Sequence, residues 1–290
     1  MKGLSLSGAS TKIPLLAGTA TILCNNLDYK PDYIVGTSAG SILAVPLALG
    51  LYAQVEDFVL GFNLDDIFDI KPVNSKGGIT LRAILRAITG KESLGRQNQL
   101  IKTMKKLITP EVWGYYKDAC TVECYAGIVE FKTGKIEYVR LKDLSYNQYF
   151  SVILASTSIP VFVESVKMND GYYYDGGVRD HIGSHWLMEN FDLDENVSIY
   201  SRPEDYDITD LNWTPGNIYQ VLERTIAIMN IEVSKNDELK EDKIAAEKGI
   251  KNTKIFPPHV LSSSTYQADP ELLQAWFEIG EKTARDTYSI

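Results

Sequence analysis

Cysteine and histidine are scarce in this sequence, with three residues of each among 290. The cysteines are Cys24, Cys120 and Cys124, an odd number that lacks the spacing to histidine of a zinc site. Free, buried thiols are therefore expected rather than disulfides or metal ligands. Such thiols fit a reducing compartment.

Long apolar runs are also lacking, since no segment reaches the length that spans a membrane. Residues 1–8 contain no signal-peptide hydrophobic region and no small-residue cleavage site. These two absences predict a soluble, cytoplasmic protein.

No Pro/Gly/Ser-rich linker, low-complexity tract or internal repeat divides the chain. With 44% hydrophobic residues, 290 residues can bury one large core. We therefore predict a single domain over residues 1–290. Its core is formed by 1–50 and 118–290, and a helical insertion occupies about 51–117.

Basic residues are fewer than acidic ones, with 29 Lys and Arg against 38 Asp and Glu, so the net charge is −9. This balance argues against nucleic acid as the main partner. The charge is unevenly spread, however. Residues 71–117 hold ten Lys or Arg and two Glu, a net +8 that leaves −17 for the rest of the chain.

The most informative motif that is present is Gly36-Thr37-Ser38-Ala39-Gly40. It lies between an apolar run that reads as a strand and an Ala-rich stretch that reads as a helix. A sharp strand-to-helix turn raises a serine hydroxyl above the sheet, beside the first free N–H groups of the helix. Gly36 and Gly40 allow the sharp turn and close packing. Ser38 is therefore a candidate nucleophile.

A first strand near residues 3–7, a turn at Gly8 and a helix over 13–25 precede this motif. Such a β-α-β-α opening predicts an α/β fold with a mostly parallel sheet and helices on its faces. The turns at Gly8 and at Gly36–Gly40 both follow a strand and begin a helix, so we expect them to lie side by side at one sheet edge.

The basic insertion contains a segment over 97–108 with apolar residues on one helical face. Lys102, Lys105 and Lys106 accompany that face. One interpretation is a surface helix packed on the core, and the other is a helix that meets an anionic lipid surface.

The second half of the chain continues the α/β pattern. Predicted strands and hairpins cover residues 121–131 with 135–141, 161–167, 172–174, 197–201 and 253–256, and predicted helices cover 147–155, 216–234, 237–249 and 271–288.

Asp175 is the best candidate partner for Ser38, because it ends a short strand and is followed by Gly176 and Gly177. A carboxylate in that position can accept a serine proton as general base. The alternative is a triad in which His259 is the base. His181 and His185 are four residues apart, but no glutamate follows the first as zinc-protease chemistry requires, so no metal is assigned.

Three segments together resemble the patatin-like phospholipase family. They are Leu4-Ser5-Leu6-Ser7-Gly8-Ala9-Ser10-Thr11-Lys12 ahead of a helix, Gly36-Thr37-Ser38-Ala39-Gly40, and Ser156-Thr157-Ser158-Ile159-Pro160-Val161-Phe162 leading to Asp175-Gly176-Gly177. A closing helix with Phe277-Glu278-Ile279-Gly280 extends the resemblance through most of the chain.

The resemblance implies a three-layer α/β/α fold and a serine–aspartate dyad without histidine, metal or cofactor. Ser38 matches the nucleophile and Asp175 the base. The turn after the first strand, with the residue after the nucleophile, would supply the oxyanion hole. By position these donors are Gly8, Ala9, Ser10 and Ala39, and the supporting motif residues are Lys12, Gly36, Gly40, Gly176 and Gly177.

The family loop usually reads Gly-Gly-Gly-x-Arg/Lys-Gly, whereas this chain keeps only Gly8 and the basic Lys12. Ala9, Ser10 and Ile13 replace the other glycines. A Cβ is disfavoured where φ is positive. We therefore expect that the loop either bends differently or forms a poor oxyanion hole.

The functional hypothesis is a lipid acyl hydrolase of phospholipase A or esterase type, acting through an acyl-serine intermediate. Its partners would be a phospholipid or another acyl-ester lipid, with peripheral membrane contact through the basic insertion and no nucleic acid. The alternatives are the triad esterase with His259, and a catalytically weak lipid-binding or scaffold protein with an altered Gly8 loop.

Overall fold

A computed structural model describes residues 1–74, 78–206, 213–261, 266 and 268–289. Lys76, one of the ten cations counted in the basic insertion, lies outside the described residues. The described strands are Lys2–Leu6 (β1), Tyr33–Thr37 (β2), Glu123–Glu130 (β3), Lys135–Arg140 (β4), Val166–Met168 (β5), Gly171–Asp175 (β6), Glu195–Ile199 (β7) and Lys251–Ile255 (β8).

Helices surround this sheet and fill the insertion. They are Ile13–Thr21 (α1), Ala39–Ala48 (α2), Tyr52–Gly61 (α3), Leu64–Ile67 (α4), Leu81–Ile88 (α5), Gln99–Leu107 (α6), Pro110–Asp118 (α7), Tyr146–Ser156 (α8), Ser184–Asn190 (α9), Ile218–Lys248 (α10) and Pro270–Tyr288 (α11). Within the described ranges, none of these helices combines the length and the apolar character needed to span a bilayer.

The strands form one sheet in the order β5-β6-β3-β2-β1-β7-β8, with β4 also paired to β3. Strands β3, β2, β1, β7 and β8 run parallel, and β4, β5 and β6 join antiparallel. Neighbouring residues of one strand contribute to different clusters: Ile34 packs with α1, α2 and α11, whereas Val35 packs with α9 and α10. The predicted three-layer α/β/α fold with a mostly parallel sheet is confirmed.

Strand β3 has two different neighbours along one edge. Its residues Glu123–Gly127 pair with β2, its residues Ile128–Glu130 pair with β6, and β4 covers the overlapping stretch 125–130. Since a strand has two edges, β2 and β6 must share the edge opposite β4. The two strands run toward each other and meet end to end, with Thr37 opposite Gly127 and Asp175 opposite Ile128.

Two predicted elements were wrong. A strand was expected over 161–167, but the observed strand β5 covers only Val166–Met168. Val161 adopts a φ of 72°, which interrupts an extended backbone. The two helices expected over 216–234 and 237–249 form the single helix α10. Ser234 and Asp237 are buried at the expected break, where hydrogen bonds to other elements satisfy their side chains within a continuous helix.

The apolar face of α6 packs on the core. Leu100, Met104 and Ile108 are buried, while the three flanking lysines are exposed, with Lys105 over the rings of Tyr146 and Phe150. Apolar residues of the insertion belong to the same cluster as the sheet residues. Lipid contact by Lys102, Lys105 and Lys106, and the division into core and insertion, stay predictions.

Helices α1 and α11 approach closely through glycine. A Cβ added to Gly280 would lie 2.2 Å from the Leu15 carbonyl oxygen, and one added to Gly18 would lie 2.3 Å from the Phe277 carbonyl oxygen. The backbones of the two helices thus occupy the space that a methyl group would need.

Gly280→Ala should therefore lower the free energy of unfolding by about 1–3 kcal/mol, because α11 must move away from α1. Gly114→Ala, in α7 with no atom within 4 Å of the added Cβ, is the control. It should raise the free energy of unfolding by roughly 0.5–1 kcal/mol. Urea unfolding followed by circular dichroism measures both, and equal effects of the two substitutions would contradict this packing.

Candidate active site

Ser38 occupies a strained turn between β2 and α2. Its backbone has φ 55° and ψ −126°, an uncommon conformation for a residue with a side chain. Its N–H donates to the hydroxyl of Ser156 at 3.0 Å, and that hydroxyl donates to the Gly127 carbonyl at 2.7 Å. The turn is thereby fixed to β3.

The two glycines of this motif permit close contact between backbones. A Cβ on Gly36 would lie 2.4 Å from the Gly40 carbonyl oxygen, and a Cβ on Gly40 would lie 2.4 Å from the Leu6 carbonyl oxygen. Helix α2 can therefore begin directly against β1 and β2, with its N-terminal N–H groups beside Ser38.

Asp175 ends β6 and is buried, with 4% of its surface exposed. Its N–H donates to the Ser158 carbonyl at 2.9 Å, and its carboxylate accepts the Gly177 N–H at 2.8 Å. Burial raises the pKa of Asp175 to about 7, although hydrogen bonding from the Ser38 hydroxyl and the Gly177 N–H favours the charged form. The end-to-end meeting of β2 and β6 thus brings Asp175 and Ser38 together.

The Gly8 loop lies against the same turn. The Gly8 N–H donates to the His181 carbonyl at 2.9 Å, and the Gly8 carbonyl accepts the Ser201 hydroxyl. A Cβ on Gly8 would lie 2.9 Å from the His181 ring and 3.4 Å from Cβ of Ser38, so this position has room only for glycine.

The altered part of the loop keeps a left-handed bend. Ser10 has φ 51°, at the position where the resembling motif has its third glycine. The bend is thus retained at a cost of the order of 1–3 kcal/mol. The Gly8 N–H is already bonded to the His181 carbonyl, and the roles expected of Ala9, Ser10 and Ala39 as oxyanion donors stay predictions.

Ser38 lies between two cavities. The larger one has a volume of about 450 Å³ and is lined by Ser38, Asp175, Gly8 and Lys12, with a wall of apolar residues from α10. The smaller one, of about 60 Å³, is mainly apolar and lies on the side of Ile42. The first volume falls in the range of pockets that bind small molecules.

Lys12 is among the residues that line the larger cavity. Burial lowers the pKa of Lys12 to about 8, while the charge of Glu223 acts in the opposite direction. The amine is therefore charged in most molecules near neutral pH, and it gives the cavity a positively charged region.

The histidines differ in their relation to this site. His181 lines the larger cavity, and burial lowers its pKa to about 4, so that its imidazole is neutral near pH 7. His259 is exposed and is not among the residues that line either cavity. The described geometry therefore brings Asp175 close to Ser38 and leaves His259 outside.

A separate group could in principle hold a metal ion. Ligand atoms of Asp180, His185 and Asp237 lie within 4.8 Å of one another. Their carboxylates already accept hydrogen bonds from the backbone and from side chains, including the His181 N–H at 2.7 Å and the hydroxyl of Tyr138. Hydrogen bonding within the protein is therefore enough to explain why these three side chains lie together.

The cysteines are free, and Cys24 and Cys124 are buried while Cys120 is partly exposed. Sequence reasoning did not identify His181 and the apolar wall of α10 as parts of the cavity. The one available signal for His181 is its position six residues after Asp175. The wall of α10 carries none, because its apolar residues are scattered around a long helix.

Residues 4–183 match the sequence profile of a family described as patatin-like phospholipase. Among solved structures, VipD from Legionella pneumophila has a similar fold, with a TM-score of 0.55 at 14% identity. The match covers 99% of this chain and 66% of VipD, so the chain spans less than two thirds of that protein. No curated protein sequence matches the chain.

The buried carboxyl of Asp175 predicts a pH dependence of stability. Its pKa of about 7 in the folded state exceeds the value of 3.8 for an unperturbed aspartate, so the folded state binds the proton more tightly. This contribution is complete below about pH 4 and is lost as the pH rises to about 7. Asp175→Asn removes the titration, and its stability relative to wild type should increase over that interval and then level off.

Urea unfolding of both proteins at a series of pH values measures the difference. Asp192→Asn, at an exposed aspartate, is the control that should leave the pH dependence unchanged. A constant difference between Asp175→Asn and wild type from about pH 4 to about pH 7 would contradict the raised pKa.

Proposed function

The chain belongs to the patatin-like phospholipase family, and we propose that it hydrolyses acyl esters of lipids with Ser38 as the nucleophile and Asp175 as the general base. The observation that carries this proposal is the meeting of β2 and β6 on one edge of β3, which puts the hydroxyl and the carboxyl side by side.

The environment of Asp175 supports its role as the base. A carboxylate with an ordinary pKa is a weak base, and burial brings the pKa of Asp175 to about 7, closer to the range in which proton transfer is efficient. The Gly177 N–H fixes the carboxylate without neutralising it. Asp175 would take the Ser38 proton as Oγ attacks the ester carbonyl carbon.

Backbone N–H groups would stabilise the resulting oxyanion. The candidates are Ala9 and Ser10 from the left-handed loop and Ala39 at the start of α2, where the helix dipole favours negative charge. The tetrahedral intermediate collapses, the C–O bond to the alcohol or lysolipid breaks, and the leaving oxygen takes the proton from Asp175. Water then attacks the acyl-serine with Asp175 again as the base.

The larger cavity supports a lipid substrate. Its wall is apolar, its volume of about 450 Å³ suits part of an acyl chain or a glycerol backbone, and Lys12 offers a positive charge to an anionic headgroup. These features favour phospholipids over neutral esters. The cytoplasmic location inferred from the sequence stays a prediction.

The triad esterase and the weak lipid-binding protein are the competing functions. The exposed position of His259 favours the dyad over the triad. Both alternatives make different predictions for the same set of variants.

Ser38→Ala and Asp175→Asn should each lower kcat for a soluble p-nitrophenyl ester by at least ~10³-fold, because each removes a group that takes part in the chemical step. His259→Ala should leave kcat about unchanged. Steady-state kinetics on purified variants with equal circular dichroism spectra measures these effects.

Mass-spectrometric mapping of a fluorophosphonate probe provides an independent result. We expect labelling at Ser38 in wild type and in His259→Ala, and no labelling in Ser38→Ala. Loss of activity in His259→Ala would establish the triad instead. An unlabelled wild type without hydrolysis would leave the lipid-binding alternative.

The base also predicts a pH–rate profile. Asp175 acts in its deprotonated form, so kcat/KM for the soluble ester should rise about tenfold per pH unit below about pH 7 and be flat above it. His259→Ala should keep the same profile. A rate that does not change between about pH 5 and about pH 8 would contradict Asp175 as the base.

A further inference from the structure

Helix α5 presents its apolar face to solvent rather than to the protein. Leu81, Ile84, Leu85 and Ile88 follow the spacing of one helical face, and they are 72%, 43%, 52% and 76% exposed. On the opposite face, Ala83 is fully buried. The orientation is the reverse of that in an ordinary surface helix.

Specific contacts hold α5 in this orientation. The hydroxyl of Thr80 accepts the Ala83 N–H at the start of the helix. On the inner side, Arg86 forms an ion pair with Glu164 at 2.5 Å and donates to the carbonyl and the hydroxyl of Ser93. Because the guanidinium is partly buried and bonded at each of these points, a roll of the helix would break several contacts.

The segment that follows α5 is joined to the rim of the larger cavity. Just beyond α5, Leu94 and Gly95 donate N–H groups to the carbonyls of Val161 and Phe162 at 2.8 and 2.7 Å. Val161 lines the cavity that contains Ser38 and is itself 42% exposed. The segment that follows α5 is thus hydrogen-bonded to a residue that lines the cavity containing Ser38.

Further exposed apolar residues lie around this cavity. Phe131, Met229 and Val260 line the cavity and are 45%, 58% and 42% exposed. Val161 belongs to the same rim. Apolar side chains on the rim suit a substrate that enters from a lipid phase.

The charged residues around α5 indicate which kind of surface this helix binds. Arg82 and Lys91 are exposed within and just after the helix, and residues 71–117 carry +8 while the rest of the chain carries −17. An apolar helix face with cations at its flanks is complementary to anionic lipid headgroups over acyl chains. Four side chains are too few for a stable dimer, which needs roughly 20–30 residues on each side.

We propose that α5 binds an anionic phospholipid bilayer, with Leu81, Ile84, Leu85 and Ile88 inserted at the boundary between headgroups and acyl chains. This surface holds the entrance of the cavity against the membrane that supplies the substrate. In naming the bilayer as the source of substrate, the proposal rests on the proposed function. Binding itself does not require catalysis.

The assignment differs from the lipid-contact helix expected from the sequence. The apolar residues of α6 are buried or packed against the core, so that helix offers exposed lysines to a membrane but no exposed apolar face. Helix α5 offers both kinds of contact. The two helices can therefore be tested against each other.

The experiment is flotation with vesicles of equal parts phosphatidylcholine and phosphatidylglycerol, using full-length protein with Ser38→Ala to prevent hydrolysis. The test variant adds Leu85→Gln and Ile88→Gln, which retain helix propensity. It should bind at least about tenfold more weakly, since two inserted aliphatic side chains are lost. Leu239→Gln, at a leucine of α10 that is 68% exposed and away from the cavity, is the matched control and should bind normally.

Further measurements separate the outcomes. With Ser38 intact, Leu85→Gln/Ile88→Gln should hydrolyse a soluble ester at the wild-type rate, whereas loss of that activity would implicate a folding defect and overturn the role of α5 as a surface. We expect binding to weaken as the salt concentration rises. We also expect weaker binding to vesicles of phosphatidylcholine alone. Unchanged flotation of the α5 variant, or loss of flotation only in Lys102→Glu/Lys105→Glu/Lys106→Glu, would overturn the proposal. A dimer that dissociates in the α5 variant, seen by light scattering, would assign the face to a second copy instead.

The proposal and the proposed function fail in different ways. If wild type hydrolyses esters through Ser38 but flotation does not depend on α5, the enzyme remains and the membrane surface is wrong. If flotation depends on α5 but no ester is cleaved and no serine is labelled, the surface remains and the catalytic function is wrong.

Discussion

The site depends on the way in which β3 binds two strands on one edge. Because β2 runs parallel to β3 and β6 runs antiparallel to it, their ends face each other at Gly127 and Ile128. Ser38 and Asp175 are 137 positions apart in the chain, yet Asp175 pairs with Ile128 and the residue before Ser38, Thr37, pairs with the adjacent Gly127. Segments between them can change in length without changing the distance between hydroxyl and carboxyl, since the register of β3 sets that distance.

A second constraint is the low polarity of this junction. Asp175 is surrounded by protein, and its charge is supported chiefly by the Ser38 hydroxyl and the Gly177 N–H. The burial that makes the carboxyl a stronger base also makes its ionised form unfavourable to folding. The left-handed Ser10 and the strained Ser38 add to this cost, so the site is a region of local instability within a well-packed sheet.

Much of this arrangement could be predicted from the sequence, because glycine spacing and strand periodicity are local signals. The turn at Ser38, the strand that ends at Asp175 and the parallel part of the sheet all follow from such signals. The face that each helix of the insertion turns toward the protein could not be predicted in this way. The apolar periodicities of α5 and α6 look alike, and only tertiary contacts such as the Arg86–Glu164 pair decide which face is turned inward. The continuity of α10 likewise depends on partners that are distant in the chain.

Helix α10 is one rod of 31 residues, roughly 46 Å long, with unequal support at its two ends. Its C-terminal part buries Ser234, Asp237 and Glu241, which are bonded to Arg202, to His181 and to residues of β7 and β8, whereas Tyr219 is the only buried residue in its first sixteen positions. Amide protons should therefore exchange with solvent in a gradient that decreases steadily from the first turns toward the last. A cavity wall on the weakly supported end of this helix can adjust to ligands of different bulk while Ser38 and Asp175 stay in place.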